Sequence, residues 1–294
     1  MPETSLLEAD PAPFRAFDRR CFDFGHRLGD DPRFAPSRLL ALAKTMSRTP
    51  GRVYYDAGDV RIEQRWDQVA VCDVPVEGLL ERIESAGAWI VLRDVDREPE
   101  YAPILDGCIA EIEALAGIDV GKLAKIRKAI IFINSPHRVS SYHIDRECNC
   151  LLQICGEKTV HVFDREDRDV LPEDEIERFW TVDNNAAVYK PQFESRANTF
   201  ALVPGRGVHI PVNAPHWVQN GDQVSVSISI NFHYHDRLLA DVYRANYWMR
   251  RLGLRPTPPR RSALRDGIKG SLYGSARTLR GLVRGRSAGE HVDG

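Results

Sequence analysis

The chain has 294 residues, of which 43% are hydrophobic and 28% are charged, so it can bury a sizeable core and is not a disordered protein. Its 40 Lys and Arg against 42 Asp and Glu give a net charge of −2, which argues against a nucleic-acid binder with a basic surface. No apolar run approaches the roughly 20 residues of a membrane-spanning helix. The N-terminal residues lack the pattern of a secretory signal, so we expect a cytoplasmic protein with reduced cysteines.

The charge is distributed unevenly along the chain. Residues 250–286 contain eleven Lys and Arg and one acid, Asp266, a local charge of +10, which leaves −12 for the rest of a chain whose total is −2. Prolines follow residue 255, and glycines recur among the arginines, so we predict that residues 253–294 form a basic, flexible tail. The alternative is an amphipathic helix for an anionic surface or an acidic partner. Binding of nucleic acid is not supported.

The first part of the chain, residues 1–128, predicts a mixed α/β segment. A helix is indicated over 37–46, with Ser37 as its N-cap, and a second helix over 77–86. Residues 89–95 are apolar and β-branched, as is typical of a buried strand. Residues 101–116 have apolar side chains at helical spacing and end at Gly117. We interpret this segment as a buttress that belongs to the same domain as the residues that follow.

After residue 128 the chain consists mainly of short strand-like runs separated by turn residues. These runs lie at 129–134, 149–155, 158–163, 198–203, 207–211 and 224–232. Their rhythm predicts an antiparallel sandwich or barrel. An acidic insertion at 164–190 carries one helix after Pro172, and residues 236–252 predict a closing helix. We therefore expect a mostly β fold with flanking helices, whose barrel and closing helix span 129–252.

The densest chemical signal is a histidine and an aspartate two positions apart, His143 and Asp145. On a strand both side chains would project from one face, where they could bind a single ion. A second histidine would complete a two-histidine, one-carboxylate triad, which suits non-haem Fe(II). His209 and His216 are the candidates for that position. A His–Asp pair on the surface, without a metal, is the alternative interpretation.

The order and spacing of several motifs resemble those of the JmjC-like, cupin-fold 2-oxoglutarate oxygenases. Within that family they are most similar to the hypoxia-inducible-factor asparaginyl hydroxylase and its bacterial cupin-like relatives. The segments that carry the resemblance are His143-Ile144-Asp145, Gly156-Glu157-Lys158, the run from Pro204 to His216, and Asn231-Phe232. Two departures stand in the third segment: Arg206 and Gly207 replace the usual acid after Pro-Gly, and Ala214-Pro215 replaces two tryptophans.

The resemblance implies a double-stranded β-helix core with an N-terminal α/β extension and a C-terminal helix. It also implies that His143, Asp145 and His216 bind Fe(II). Lys158 would then pair with the distal carboxylate of the cosubstrate 2-oxoglutarate, assisted by Ser140. Asn149 and Asn231 stand where the family contacts the carboxylate nearer the metal.

The function implied by this resemblance is an Fe(II)- and 2-oxoglutarate-dependent dioxygenase. Such an enzyme hydroxylates its substrate, or demethylates it through hydroxylation. The substrate itself is open, and either a protein side chain or a small molecule fits. The competing hypothesis is a cupin-like protein that binds a ligand or regulates a partner without catalysis.

Overall fold

The computed structural model describes residues 5–29, 31–69, 72–234 and 237–275. The chain divides into two compact units. The first, which we call the barrel unit, comprises residues 1–170 and 187–235. The second, the helical unit, comprises residues 171–186 and 236–294. The predicted C-terminal tail beyond residue 275 lies outside the described residues.

The strands of the described residues form two antiparallel sheets and belong to the barrel unit. They are β1 (Leu7–Glu8), β2 (Phe22–His26), β3 (Val53–Ala57), β4 (Ala88–Leu92), β5 (Ala124–Asn134), β6 (Val139–His143), β7 (Cys148–Cys155), β8 (Lys158–Val162), β9 (Asn198–Leu202), β10 (Arg206–Ile210), β11 (His216–Asn220) and β12 (Ser225–Tyr234). The helices are α1 (Pro11–Phe14), α2 (Pro36–Met46), α3 (Val76–Glu81), α4 (Ala102–Ala116), α5 (Val120–Leu123), α6 (Glu173–Thr181) and α7 (Arg237–Arg251). Short 3-10 turns lie at Pro32–Phe34, Trp66–Gln68, Val95–Arg97 and Pro191–Arg196.

The connection of the two sheets defines a double-stranded β-helix. The large sheet has the order β1-β2-β10-β7-β12-β5-β4-β3, and the small sheet has the order β6-β11-β8-β9. From β5 to β8 and again from β9 to β12, successive strands alternate between the two sheets, as in a jelly roll. The N-terminal strands extend the large sheet at both ends, β1 and β2 beside β10, and β3 and β4 beside β5. The predicted cupin-like core with an α/β extension is confirmed.

The alternating sequence of β12 gives this strand an apolar face and a polar face. Val226, Ile228 and Ile230 are buried on one face, whereas the serines between them point into the barrel. Ser227 marks that direction, because its hydroxyl accepts a hydrogen bond from Lys158 of the opposite sheet at 2.6 Å. The barrel thus has a strip of serines on the wall opposite Lys158.

Several predicted element boundaries needed correction. The helix expected at 77–86 ends at Glu81, and the strand expected at 89–95 ends at Leu92 because Val95 opens a 3-10 turn. Helix α2 begins at Pro36, so Ala35 and not Ser37 is its N-cap. Proline suits the first helical position because its missing N–H would have no partner there.

An ion pair and an aromatic contact join helices α6 and α7 of the helical unit. The guanidinium of Arg250 in α7 donates two hydrogen bonds to the carboxylate of Glu177 in α6, at 2.7 and 2.9 Å. Trp180 stacks on Tyr243 at 6.1 Å. Residues 263–275 form a further helix, within the segment for which a flexible tail was predicted and an amphipathic helix was the alternative. None of the described helices is long and apolar enough to cross a bilayer.

Candidate metal centre

His143, Asp145 and His216 lie together at one end of the barrel. The pairing of β6 with β11 sets His143 directly opposite His216, with their ring centroids 4.2 Å apart. The Oδ2 atom of Asp145 lies 3.8 Å from Nε2 of His143 and 3.6 Å from Nε2 of His216. One ligand atom of each residue therefore falls within 4.8 Å of the others, a spacing that one metal ion can bridge.

Backbone carbonyls fix the orientation of both imidazoles. Nδ1 of His143 donates to the carbonyl of Ser141 at 2.7 Å, and Nδ1 of His216 donates to the carbonyl of Ala214 at 2.9 Å. With Nδ1 protonated, each Nε2 carries a lone pair directed toward Asp145. Burial, and secondarily the neighbouring His143, lowers the pKa of His216 to about 3, so its ring is neutral at physiological pH. The donor set fits a divalent metal with two neutral imidazoles and one carboxylate.

The three side chains differ in exposure, which leaves one side of the centre open. The His216 side chain is 6% exposed, whereas those of His143 and Asp145 are 28% and 36% exposed. His216 therefore forms the floor of the site. A substrate can approach across His143 and Asp145.

A bulge between β6 and β11 brings Ser140 to the same side of the strand as His143. Ser140 is paired with Val218, and His143 is paired with His216, so three steps on β6 match two steps on β11. On a regular strand, residues three apart would face opposite sides. The bulge therefore turns Ser140 to the side of Val218, a residue of the apolar barrel cluster.

Lys158 lies inside the barrel, far along the strands from the histidines. It is 5% exposed and donates to Ser227 on the opposite sheet. Its strand pairs with β11 so that Asn220 is opposite Lys158 and His216 is opposite Val162. The lysine is thus four residues, about 13 Å of strand, from the metal end. Burial lowers the pKa of Lys158 to about 7.

Asn149 of β7 is paired with Asn231 of β12. Asn231 lies four residues along β12 from Ser227, toward the other end of the barrel. Asn231 is partly satisfied within its own strand: its Nδ2 donates to the carbonyl of Ser229 at 3.0 Å. The Oδ1 atom of Asn149 is buried and has no hydrogen-bond partner. A buried amide oxygen without a partner is costly, so this position favours a bound donor or ligand.

His209, the other candidate for the third ligand, faces away from the triad. Its Nδ1 donates to the carbonyl of Asn149 at 2.9 Å, and its Nε2 accepts the backbone N–H of Asp18 at 2.9 Å. Its ring stacks on Phe17 at 4.4 Å, and burial lowers its pKa to about 3. Both ring nitrogens are used, so His209 is a packed core histidine.

Two parts of the site were not predicted from the sequence. Ser227, which binds Lys158, lies in a run that the sequence analysis treated only as a strand; the alternation of serine with β-branched residues was the available signal. The pair of Glu147 and His233, with 2.5 Å between Oε1 and Nε2, was also missed. Burial would raise the pKa of Glu147, but the hydrogen bond from His233 outweighs it and lowers the pKa.

A further histidine, His161, and the cysteines are not part of the triad. His161 stacks on Trp217 at 3.9 Å on the outer face of the small sheet. All six cysteines are free, and Cys148 and Cys150 are buried small residues of β7.

Fold and site together define a class of protein: a cupin-like double-stranded β-helix that brings two histidines and a carboxylate together at one end. Among solved structures, an X-ray structure of Escherichia coli ycfD matches with a TM-score of 0.50 and 14% identity, over 92% of this chain and 68% of that chain. A crystal structure of the E. coli ribosomal oxygenase YcfD matches with a TM-score of 0.48 and 16% identity, over 92% and 67%. A YcfD complex with cobalt and 2-oxoglutarate matches with a TM-score of 0.45 and 14% identity, over 84% and 59%.

At these identities the similarity concerns the fold. No family model matches the chain, and no curated protein matches its sequence.

Proposed function

We propose that this protein is an Fe(II)- and 2-oxoglutarate-dependent oxygenase. The observation that carries the proposal is the juxtaposition of His143, Asp145 and His216 with a buried lysine inside the same barrel. A structural histidine cluster would not need the two Nε2 atoms to face one carboxylate oxygen. Nor would a structural lysine be placed in a barrel interior, where burial disfavours its charge.

Fe(II) would be held by Nε2 of His143, Nε2 of His216 and a carboxylate oxygen of Asp145. When bound, it supplies the activation of oxygen that is coupled to oxidative decarboxylation of 2-oxoglutarate to succinate. The protein contributes the arrangement of the ligands, because the carbonyls of Ser141 and Ala214 hold both rings in the tautomer that can bind a metal.

Lys158 would bind the distal carboxylate of 2-oxoglutarate. A dicarboxylate supplies the negative charge that a buried ammonium lacks, and a charge-assisted hydrogen bond in a dry site is strong. Ser227 already orients the ammonium, and Ser140 would add a second hydroxyl. The unpartnered Oδ1 of Asn149 and the amide of Asn231 would line the metal end of the cosubstrate.

The walls between the two ends keep bulk water out. Val160, Val162, Leu202 and Val218 are each less than 10% exposed and belong to one apolar cluster. Water that reached the site would compete with the cosubstrate for hydrogen bonds and would hydrolyse or quench reactive species. The prime substrate must then enter over the exposed edges of His143 and Asp145.

The reaction proposed is hydroxylation of an unidentified substrate, or demethylation through hydroxylation. A protein side chain and a small molecule both remain candidates. One structural neighbour is named a ribosomal oxygenase, and its substrate is not transferred to this chain.

The test is spectroscopic and needs no prime substrate. Anaerobic addition of Fe(II) and 2-oxoglutarate should give a weak charge-transfer band in the visible, and admission of air should release succinate. His143→Ala should abolish the band, whereas His137→Ala, at an exposed histidine of the same unit, should keep it. A folded protein that binds 2-oxoglutarate but neither shows the band nor forms succinate would instead be a cupin-like ligand-binding protein.

A further inference from the structure

The helix over residues 263–275 exposes a stripe of large apolar side chains. Leu264, Ile268 and Leu272 are 76%, 53% and 68% exposed. At a spacing of four residues they lie within about 80° of one another around the helix. A helix of a folded protein ordinarily turns such a stripe toward the core, so its outward position needs an explanation.

The face that packs within the helical unit is made of small and polar residues instead. Gly270 is buried, and a Cβ atom placed on it would overlap the side chain of Leu238 in α7. Asp266 is 8% exposed and accepts the backbone N–H of Arg260 at 2.7 Å. Lys269 donates to the carbonyl of Thr257 at 2.6 Å. These contacts fix the rotation of the helix about its axis, so that the stripe of Leu264, Ile268 and Leu272 faces outward.

The charge around the stripe is positive. Asp266, the only acid between residues 250 and 286, faces inward. Arg265 follows Leu264 in the helix, Arg261 lies two residues before the helix begins, and both are exposed. In the sequence that follows, which lies outside the described residues, the same residue types continue, with Leu279, Leu282 and Val283 among four arginines.

We propose that this stripe docks the protein onto an anionic lipid surface. Exposed leucines beside arginines match the two layers of such a surface, the apolar acyl boundary and the negative headgroups. A two-fold contact between copies would bring the same arginines together, and three side chains cover far less than the roughly 800 Å² per partner of a stable dimer. A nucleic acid would not use the leucines.

The experiment is vesicle co-flotation of the full chain with phosphatidylcholine vesicles, alone or with a quarter of phosphatidylglycerol. Binding should occur with the anionic vesicles and fall when NaCl is raised from 0.1 to 0.5 M. The variant Leu264→Gln/Ile268→Gln/Leu272→Gln should bind at least about tenfold more weakly, because it loses the inserted apolar area. The matched control is Leu123→Gln/Val188→Gln/Val203→Gln, three exposed apolar residues of the barrel unit, and it should bind like the native chain.

Three results would overturn the proposal. The first is absence of binding to anionic vesicles, and the second is binding that the stripe variant retains in full. The third is a dimer in solution that the stripe variant converts to a monomer, since the stripe would then be covered by a second copy. Circular dichroism and thermal melting establish that each variant is folded before vesicles are added.

Discussion

At the scale of single residues, Lys158 is the strongest indication that the barrel interior binds a ligand and is not packed for stability alone. An ammonium with one serine contact in a barrel is unfavourable on its own, and burial lowers its pKa to about 7. A dicarboxylate would reverse that penalty by supplying an opposite charge at the same place. In the proposed function the lysine would contribute binding energy to the ligand at the expense of the stability of the ligand-free protein.

Affinity for 2-oxoglutarate should therefore depend on pH. Above about pH 7 the protonated fraction of Lys158 in the free protein falls tenfold per pH unit, so the dissociation constant should rise by about tenfold per unit. Calorimetric titration between pH 6.5 and 8.5, with Co(II) in place of Fe(II), measures this slope. Lys158→Met should bind weakly at every pH, and Lys158→Arg should remove the inflection near 7. An unchanged slope in Lys158→Met would refute the assignment.

The ionisation of Lys158 should also make the stability of the ligand-free protein depend on pH. The folded pKa of Lys158 is about 7, well below its usual 10.5. Between these values the unfolded chain holds a proton that the folded chain lacks, so stability should rise with pH across this window. Urea unfolding at pH 7 and pH 9 should show the increase in the native chain and a smaller one in Lys158→Met. Equal increases in both proteins would mean that other groups cause it.

The two candidate histidines should separate metal binding from stability. His216→Ala should weaken Co(II) binding by more than about a hundredfold, because losing a ligand exceeds the 10- to 100-fold cost of losing a partner of a ligand. His209→Ala should lower the free energy of unfolding by about 3 kcal/mol through lost stacking and two lost hydrogen bonds. It should leave Co(II) affinity within a few-fold. Visible absorption of Co(II) and urea unfolding measure the two effects, and a reversed pattern would exchange the roles.

How far the sequence predicted the site also differs by residue. The spacing of motifs selected His216 over His209, and the structure places His216 and not His209 within reach of Asp145. Lys158 was singled out by its motif, but its partner Ser227 was not. The alternation of serine with β-branched residues places the serines of this strand on one face, but it does not tell that this face lines the barrel interior. The contact between Glu147 and His233 joins residues 86 positions apart, so no local pattern could reveal it.

At the scale of elements, the strands richest in β-branched residues were predictable, and the two that carry His143 and His216 were not. β6 and β11 contain polar and aromatic residues in place of an apolar run, and both became visible only through their pairing. The bulge that brings Ser140 to the side of His143 is likewise a property of two strands together. The turn between β7 and β8 could be predicted from the sequence, because its glycine is a local turn signal.

Gly156 should tolerate alanine less than a glycine of the same backbone conformation elsewhere. Gly156 has φ +67°, and an added Cβ would overlap the carbonyl of Val224; Gly117, at the end of α4, has φ +65° and open space. Gly117→Ala should cost about 1 kcal/mol for the left-handed conformation alone, and Gly156→Ala about 3 kcal/mol because the backbone must also shift. Urea unfolding compares the two, and equal losses would show that the overlap relaxes without cost.

At the scale of the whole molecule, the candidate metal site and the exposed apolar stripe lie in different units of the chain. All seven residues proposed to bind the metal or the cosubstrate, from Ser140 to Asn231, lie in the barrel unit. The helical unit carries the outward leucine stripe and most of the C-terminal positive charge. The sequence predicted the charge, but it gave the helix at 263–275 only as the alternative to a flexible tail, because the glycines of this segment lower helix propensity. One of those glycines, Gly270, lies where a Cβ atom would overlap the side chain of Leu238.

Ligand binding should therefore protect one unit and not the other. At a hundred times its dissociation constant, a ligand stabilises the state that binds it by about 2.7 kcal/mol. Co(II) with 2-oxoglutarate should slow amide hydrogen exchange of β6, β7, β8, β11 and β12 by up to about a hundredfold where exchange requires opening of the barrel. Exchange in α6 and α7 should change little. Mass-spectrometric hydrogen exchange on the native chain measures both units in one sample, and His216→Ala provides the unliganded control. Protection of α6 and α7 equal to that of the strands would mean that the two units unfold together, so that ligand binding stabilises both of them.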